Sequence, residues 1–170
     1  MKKVMWISWL SFFASPALAG LHSRLLSTCA APKKVMCFGT FDILHDGHKF
    51  YLGEAKKLGD FLVVVVARDE TVKEIKKQQP LNSENIRVRN LQQLGIADKV
   101  ILGNPGDKLK VVEDEKPSII CLGYDQTFFT DKIKEKLQQR GLSVDIMRLP
   151  AYKPEVYKSS LIKKKFSQSS

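Results

Sequence analysis

Short apolar runs alternate along this chain with longer amphipathic segments. The runs at 33–39, 61–67, 99–103, 118–123 and 143–149 each predict a β-strand. The second run, FLVVVVA, is apolar at every position, which is typical of a parallel strand covered on both faces. The spacing of apolar residues predicts helices over 48–60, 69–77, 83–95, 107–115, 130–141 and 159–166. Gly59 and Gly95 are expected to close two of these helices, and Ser83 is expected to cap one.

Strands that alternate with helices fold into a parallel sheet with helices on both faces. We therefore predict an α/β fold over 33–166, a doubly wound parallel five-stranded sheet in the common order 3-2-1-4-5, with a frayed tail at 167–170. In that order the first and fourth strands are neighbours where the winding reverses, and ligands bind beyond their carboxyl ends. The loops GTFDILHDGH (39–48) and GYDQ (123–126) should then border one crevice.

The first of these loops carries two histidines, His45 and His48, three positions apart after a strand-ending glycine. Gly39 is expected to let the backbone turn tightly and approach a bulky ligand. His48 is expected to begin a helix, whose free N–H groups and dipole attract phosphate. Both imidazoles would share one helix face and donate hydrogen bonds to phosphate oxygens, with Gly47 keeping the space between them open. The pattern predicts a site that binds a nucleoside triphosphate and stabilises charge developing at its α-phosphorus.

No serine or cysteine nucleophile with an adjacent base is apparent, so direct in-line attack by the second substrate is favoured over a covalent intermediate. Asp125, in the second loop, is expected to accept hydrogen bonds from ribose hydroxyls, with Tyr124 and Gln126 flanking the base. Ser159 and Ser160 are expected to start the last helix and to offer hydroxyls to phosphate.

The segment GTFDILHDGH resembles the long signature, ending in HxGH, of the cytidylyltransferase-like nucleotidyltransferases. The segments ARDETVKEIK, KPSIICLGYDQ and YKSSLIKK resemble one branch of that family, the archaeal-type FAD synthases, which are FMN adenylyltransferases. The resemblance covers about residues 33–165. It implies a Rossmann-like fold of the HxGH nucleotidyltransferase type, a Mg²⁺-bound nucleotide, and transfer of a nucleotidyl group with release of pyrophosphate. Within this branch the substrates would be ATP and FMN, and the product FAD.

The resemblance also implies roles for particular residues. His45 and His48 would be catalytic, at the phosphates. The expected nucleotide-binding residues are Gly39, Thr40, Phe41, His45, Asp46, Gly47, His48, Gly123, Tyr124, Asp125, Gln126, Tyr157, Ser159 and Ser160. Lys158 and Lys163 are further candidates for phosphate contacts, and Asp42, Arg87 and Arg89 are candidates for the acceptor site. No protein metal ligand is expected, because the Mg²⁺ would be held mainly through the nucleotide.

The acceptor is less well defined than the phosphate site. Asp46 stands where the nearest relatives often carry proline, and KKQQP replaces a more usual glycine-containing basic loop. Glycerol-3-phosphate cytidylyltransferase and pantetheine-phosphate adenylyltransferase stay open as alternatives, and with them CTP in place of ATP, because a shared phosphate site says little about the acceptor. A non-enzymatic nucleotide-binding regulatory module is the competing class.

Composition adds few constraints. The formal net charge of the 170 residues is +10, which suits an anionic ligand. No basic stripe is interleaved with aromatic residues, so nucleic-acid binding is not expected. Three cysteines without a CxxC pair predict buried, reduced thiols rather than a disulfide framework or a zinc site. A homodimer remains possible on this evidence.

Residues 1–32 differ from the rest of the chain. A basic start, an apolar run and Ala17-Leu18-Ala19 give them the layout of a secretory signal peptide. A basic, acid-free stretch would also suit an organellar presequence, and a start codon assigned too far upstream is a third explanation. The hypothesis of a secreted binding protein rests only on residues 1–20 of this segment. Because nucleoside triphosphates are scarce outside the cytoplasm, we expect a cytoplasmic enzyme, with membrane contact only if the segment is a retained anchor.

Overall fold

The computed structural model describes residues 31–126 and 133–157. In chain order these residues form β1 (Lys34–Gly39), α1 (Asp46–Lys56), β2 (Phe61–Val66), α2 (Asp69–Lys76), α3 (Glu84–Leu94), β3 (Lys99–Leu102), α4 (Lys110–Glu115), β4 (Ile119–Leu122), α5 (Ile133–Gln139) and β5 (Asp145–Arg148). The predicted helix at 159–166, the predicted tail, and the N-terminal segment up to residue 30 lie outside the described residues. No described helix is long and apolar enough to span a bilayer.

The five strands form one sheet in the order β3-β2-β1-β4-β5, and every neighbouring pair is parallel. Cys37 on the central strand β1 lies opposite Val64 of β2 on one side and Cys121 of β4 on the other. The predicted fold class and strand order are confirmed. The carboxyl ends of β1 and β4 therefore lie side by side, as the crevice argument requires.

Each face of the sheet is covered by its own group of helices, which explains the uninterrupted apolar run in β2. Leu62, Val64 and Val66 pack in the cluster that includes α1 and α3 residues, and Val63 and Val65 pack in the cluster that includes α4 and α5 residues. Successive strand residues point to opposite faces, so both sets must be apolar. Cys37 and Cys121 are buried and free, as predicted for them, whereas Cys29 is outside the described residues.

The start of α1 differs from the sequence prediction. Helix α1 begins at Asp46 rather than at His48, because His45 is extended and its carbonyl accepts hydrogen bonds from the amides of His48 and Lys49. Asp46 then reinforces the first turn through a 3.1 Å ion pair with Lys49. The expectation that His48 begins the helix was wrong by two residues, and His48 is instead the third residue of the helix.

Three predicted helix-terminal residues have different outcomes. Gly95 ends α3 in the left-handed conformation, at φ 69°, as expected. Ser83 occupies the N-cap position of α3, but its side chain makes no capping hydrogen bond. Gly59 does not close α1, which ends at Lys56. A Cβ at Gly59 would lie 2.3 Å from the carbonyl oxygen of Lys33, so this glycine lets two backbone segments approach each other.

Candidate active site

A crevice of about 580 Å³ opens at the carboxyl edge of the sheet. Both predicted loops border it. The predicted residues that line it are Gly39, Thr40, Phe41, Asp42, His45, Gly47, His48, Gly123, Tyr124, Asp125, Gln126 and Tyr157. Asp46 lies beside it, paired with Lys49, and the predicted residues Lys158, Ser159, Ser160 and Lys163 lie outside the described residues. The volume is in the range of pockets that hold nucleotide-sized ligands.

The two histidines form a stacked pair at the start of α1. Their ring centroids are 3.8 Å apart and their planes are inclined by 24°. Phe41 meets His48 edge-on at 5.2 Å, and Tyr157 lies on the other side of His45 at 6.2 Å. Because each ring is supported by a neighbour, the pair is set in place before a ligand arrives, which is the arrangement that stabilises developing charge most effectively.

Both imidazoles are neutral at pH 7. The pKa of His48 is lowered from 6.5 to about 3, chiefly by burial and in addition by the nearby His45 and Lys76. The pKa of His45 is also lowered by burial, an effect that the carboxylate of Asp46 partly offsets. Nδ1 of His48 is buried without a hydrogen-bond partner among the described residues, which is uncommon away from functional sites. Two neutral rings can offer hydrogen bonds to a ligand, but not positive charge.

At Gly39, the ring of Phe41 occupies the space that a side chain would need. It is the last residue of β1, and a Cβ there would lie 2.6 Å from Cε2 of Phe41. Phe41 itself is buried and has a left-handed backbone at φ 51°, which is uncommon for a large side chain. Gly39 also lines the crevice, and the predicted close approach of a ligand there stays a prediction. At Gly47, a Cβ would lie 2.9 Å from Nδ1 of His45 and 3.1 Å from Cβ of Tyr157, so this glycine makes room for the aromatic stack.

The loop after β4 is fixed by internal hydrogen bonds. The side chain of Gln126 donates to the carbonyl of Phe38 at 2.7 Å and accepts from the amide of Gly123 at 3.2 Å, so it ties the ends of β1 and β4 together. Arg148 of β5 donates to three carbonyls of the same loop, those of Gly123, Tyr124 and Gln126. Both polar atoms of the Gln126 amide are therefore engaged within the protein, and its predicted place beside the base stays a prediction.

The sequence predicts the KKQQP segment at the acceptor, and Lys76 and Gln78 of that segment do line the crevice. The prediction missed the other lining residues that follow β2, β3 and β5, among them Arg68, Thr71, Ile75, Asn104, Lys108, Pro150, Ala151 and Tyr152. A signal for them existed, because all five parallel strands end at the same edge and every loop after a strand can reach it. The basic residues among them make this wall positive.

The two arginines expected at the acceptor lie elsewhere. Arg89 is exposed on α3, and Arg87 is fully buried, with its guanidinium hydrogen-bonded to Thr40, Asn82 and Asp69. Neither residue lines the crevice. Asp42 lines it but is almost entirely buried, and its carboxylate accepts hydrogen bonds from two backbone amides. Direct contact of Arg87 with an acceptor phosphate does not agree with this burial.

A doubly wound parallel sheet, with a helix N-terminus and a neutral histidine pair at its switch point, defines a nucleotide-binding α/β domain built to hold phosphate. Residues 36–165 match the model of one protein family, which is described as Cytidylyltransferase-like. The chain belongs to this family, so the resemblance found in the sequence is confirmed.

Individual relatives are similar over most of their length. A protein of Thermoplasma volcanium named FAD synthase is 45% identical over 135 residues, which are 79% of this chain and 94% of the relative. A protein of Aciduliprofundum boonei with the same name is 49% identical over 119 residues, 70% of this chain and 79% of the relative. Among solved structures, one described as a lipopolysaccharide core biosynthesis protein from Thermoplasma volcanium matches with a TM-score of 0.68 at 46% identity, over 71% of this chain and 98% of that chain.

Proposed function

We propose that this protein is an FMN adenylyltransferase, which transfers AMP from ATP to the phosphate of FMN and releases pyrophosphate. The observation that carries the proposal is the stacked, neutral pair His45 and His48 at the start of α1, inside the crevice. Its similarity to archaeal relatives named FAD synthase, at 45% and 49% identity, supports FMN as the acceptor.

In the proposed reaction a phosphate oxygen of FMN attacks the α-phosphorus of ATP in line with the leaving group. The new P–O bond forms as the bond from the α-phosphorus to the bridging oxygen breaks, and its electron pair leaves with pyrophosphate. Both phosphates are already ionised, so the step requires no proton transfer. Charge shifts onto phosphate oxygens, and removing one preorganised donor to such oxygens costs about 3–4 kcal/mol in the transition state.

His45 and His48 supply such donors. Their lowered pKa values keep both rings neutral, so each ring carries one N–H and no full charge, and the backbone of Ile43 competes with a phosphate for that of His48. Helix α1 adds backbone N–H groups of its first turn and the positive end of its dipole. We assign the triphosphate to this wall of the crevice, between the histidine pair and Asp125. We assign the acceptor to the part of the crevice that follows β2 and β3, where Lys108 carries a charge that attracts a phosphate.

A divalent metal ion is typical of this class of reaction, and we propose Mg²⁺ carried by the nucleotide. Within the described ranges, no cluster of three or more His, Cys, Asp or Glu side chains has the arrangement of a metal site. Mg²⁺ is commonly held by one or two carboxylates together with substrate phosphates, and this crevice offers such carboxylates. Asp42 is held by backbone amides, so Asp125 is the acid that fits a metal brought by the triphosphate. The ion would neutralise charge on the phosphates.

Pyrophosphate release by the full chain with Mg²⁺ tests the proposal. ATP and CTP are each paired with FMN, glycerol 3-phosphate and phosphopantetheine. We expect release with ATP and FMN, accompanied by FAD. Release with another pair would support nucleotidyl transfer but refute the assignment of ATP and FMN as substrates. Nucleotide binding without release from any pair would indicate a regulatory module.

The variant His48→Ala links this activity to the site. It should reduce turnover by roughly 100-fold to 1000-fold. Lys57→Ala, at the exposed end of the same helix, is the control and should retain turnover. Unchanged turnover in the histidine variant would refute the mechanism.

The remaining expectations are proposals as well. A cytoplasmic location is supported by the need for ATP and FMN, and the division into an extension at 1–32 and a domain at 33–166 follows the family match, which starts at residue 36. N-terminal sequencing of the native protein tests both. A mature end near Gly20 in an exported fraction would refute the cytoplasmic location.

A further inference from the structure

Arg87 is a fully buried charged side chain that does not line the crevice. Its guanidinium donates to the carbonyl of Thr40 at 2.6 Å, to the carbonyl of Asn82 at 3.0 Å and to Oδ1 of Asp69 at 2.5 Å. Burying a guanidinium is expensive unless it is paired and hydrogen-bonded, and replacing it by an apolar residue often costs nothing. A pure stability role therefore gives a weak reason for an arginine here, and the groups that it holds give a stronger one.

Those groups surround an unfavourable backbone conformation. Thr40 immediately precedes Phe41, whose φ of 51° persists only where neighbouring contacts impose it. On the other side of Phe41, the carboxylate of Asp42 accepts from the amides of Leu81 at 2.9 Å and Asn82 at 2.8 Å. Asn82 in turn donates from its side chain to the carbonyl of Asp42 at 2.6 Å. The residues on both sides of Phe41 are thus fastened to the segment that leads into α3.

The ring carried by this backbone corner contacts the catalytic pair. Phe41 covers Gly39 and meets His48 edge-on at 5.2 Å. A shift of the corner would move this ring, and with it the support that orients the imidazole of His48. Displacements near 1 Å at reacting groups reduce turnover strongly.

The same guanidinium also binds the segment that follows β2. Asp69 is the first residue of α2, and its amide is bound by Glu84 of α3 at 2.9 Å. The preceding residue, Arg68, lines the crevice and is held by Glu84 and by the carbonyl of Gly103. Arg87 therefore joins the two loops that follow the neighbouring strands β1 and β2.

We propose that Arg87 is a positioning residue: by binding the carbonyl of Thr40 and the carboxylate of Asp69, it holds the corner at Phe41 that orients His48. The expected effect of this role on kcat rests on the proposed adenylyl transfer, whereas its expected effect on the orientation of the His48 ring does not.

The test compares Arg87→Ala and Arg87→Lys with Val88→Ala, in the full chain. Val88 is the next residue of α3 and packs against the apolar core, and its side chain has no polar group that could bind Thr40 or Asp69, so its variant controls for a general loss of stability. We expect Arg87→Ala to lower kcat by on the order of 100-fold, with the KM values for ATP and FMN nearly unchanged. Added guanidinium should restore part of this kcat, urea at the same concentration should not, and Val88→Ala should keep its kcat.

NMR titration of the His48 ring gives a readout that is independent of turnover. A loosened corner admits water, so the pKa of His48 should rise toward its usual value in Arg87→Ala and remain low in Val88→Ala. If Arg87→Ala does not fold, Arg87→Lys takes its place, because lysine keeps the charge but cannot bind three acceptors in one plane.

The outcomes separate the two proposals. A folded Arg87 variant with parental kcat, or with an unchanged His48 titration, would overturn the positioning role. A parent protein that releases no pyrophosphate, together with a shifted His48 titration in the variant, would refute the adenylyl transfer and leave the positioning role standing.

Discussion

His48 should make the stability of this protein depend on pH over the acidic range. Its pKa is about 3 in the folded protein, against a usual value of 6.5 that it regains on unfolding. Between these two values the unfolded chain binds one more proton than the folded chain, so stability falls as the pH falls. The contribution is fully present above pH 6.5 and is lost progressively toward the folded pKa.

The size of the effect follows from the two pKa values. The slope approaches about 1.4 kcal/mol for each pH unit, so the loss between neutral pH and about pH 5 is roughly 2 kcal/mol. His48 is largely buried, so solvent screening does not remove most of this energy. His45, whose pKa is also lowered, adds a loss in the same direction.

Urea unfolding at neutral pH and at about pH 5 measures this loss directly. The variant His48→Gln keeps a polar side chain of similar size but cannot titrate, so its free energy of unfolding should fall by roughly 2 kcal/mol less than that of the parent. His45→Gln is the matched control for the other ring. Equal losses in the parent and His48→Gln, or an NMR titration of His48 near 6.5, would refute the assignment of a buried neutral imidazole.

Two further predictions concern the framework of the site. Gly39→Ala should destabilise the fold by about 1–3 kcal/mol, because its Cβ meets the ring of Phe41 at 2.6 Å. A Cβ at Gly53 in α1 would meet no atom within 4 Å, so Gly53→Ala should stabilise the fold by about 0.5–1 kcal/mol. Comparing the free energies of unfolding of the two variants in urea therefore separates the clash at Gly39 from the general effect of replacing glycine by alanine. Arg148→Met should speed hydrogen exchange of residues 123–126 and raise the KM for ATP, whereas parental exchange would argue against the three carbonyl contacts.

The fold was predictable because its signals are local and repeated. Five apolar runs, separated by amphipathic segments, determine the alternation of strands and helices, and handedness rules then leave few topologies. The two-residue error at the start of α1 has a specific cause. The sequence pattern reveals apolar spacing, whereas the start of this helix is set by the extended backbone of His45, whose carbonyl accepts the first hydrogen bonds of the helix.

The candidate site was predictable only where residues follow one another closely in sequence. His45 and His48 are read from one segment, and the loop at 123–126 follows from strand order. Arg87 binds the carbonyl of Thr40, 47 positions away in sequence, and Arg148 binds the carbonyl of Gly123, 25 positions away. A backbone carbonyl is present in every residue, so the sequence does not reveal such partners. An arginine on an amphipathic helix also resembles a surface residue in sequence, so the burial of Arg87 could be recognised only from the packed structure.

The neutrality of the histidine pair has a consequence for catalysis. Two imidazolium ions would bind ATP and the departing pyrophosphate strongly, and binding that is equal in the ground state and the transition state does not raise kcat. Neutral N–H donors interact more as negative charge grows on the oxygens that they face. Full positive charge in the crevice comes from other side chains, Lys76 near His48 and Lys108 beyond β3, which attract the anionic substrates. Attraction of the anions and stabilisation of the charge that develops between them therefore fall to different side chains.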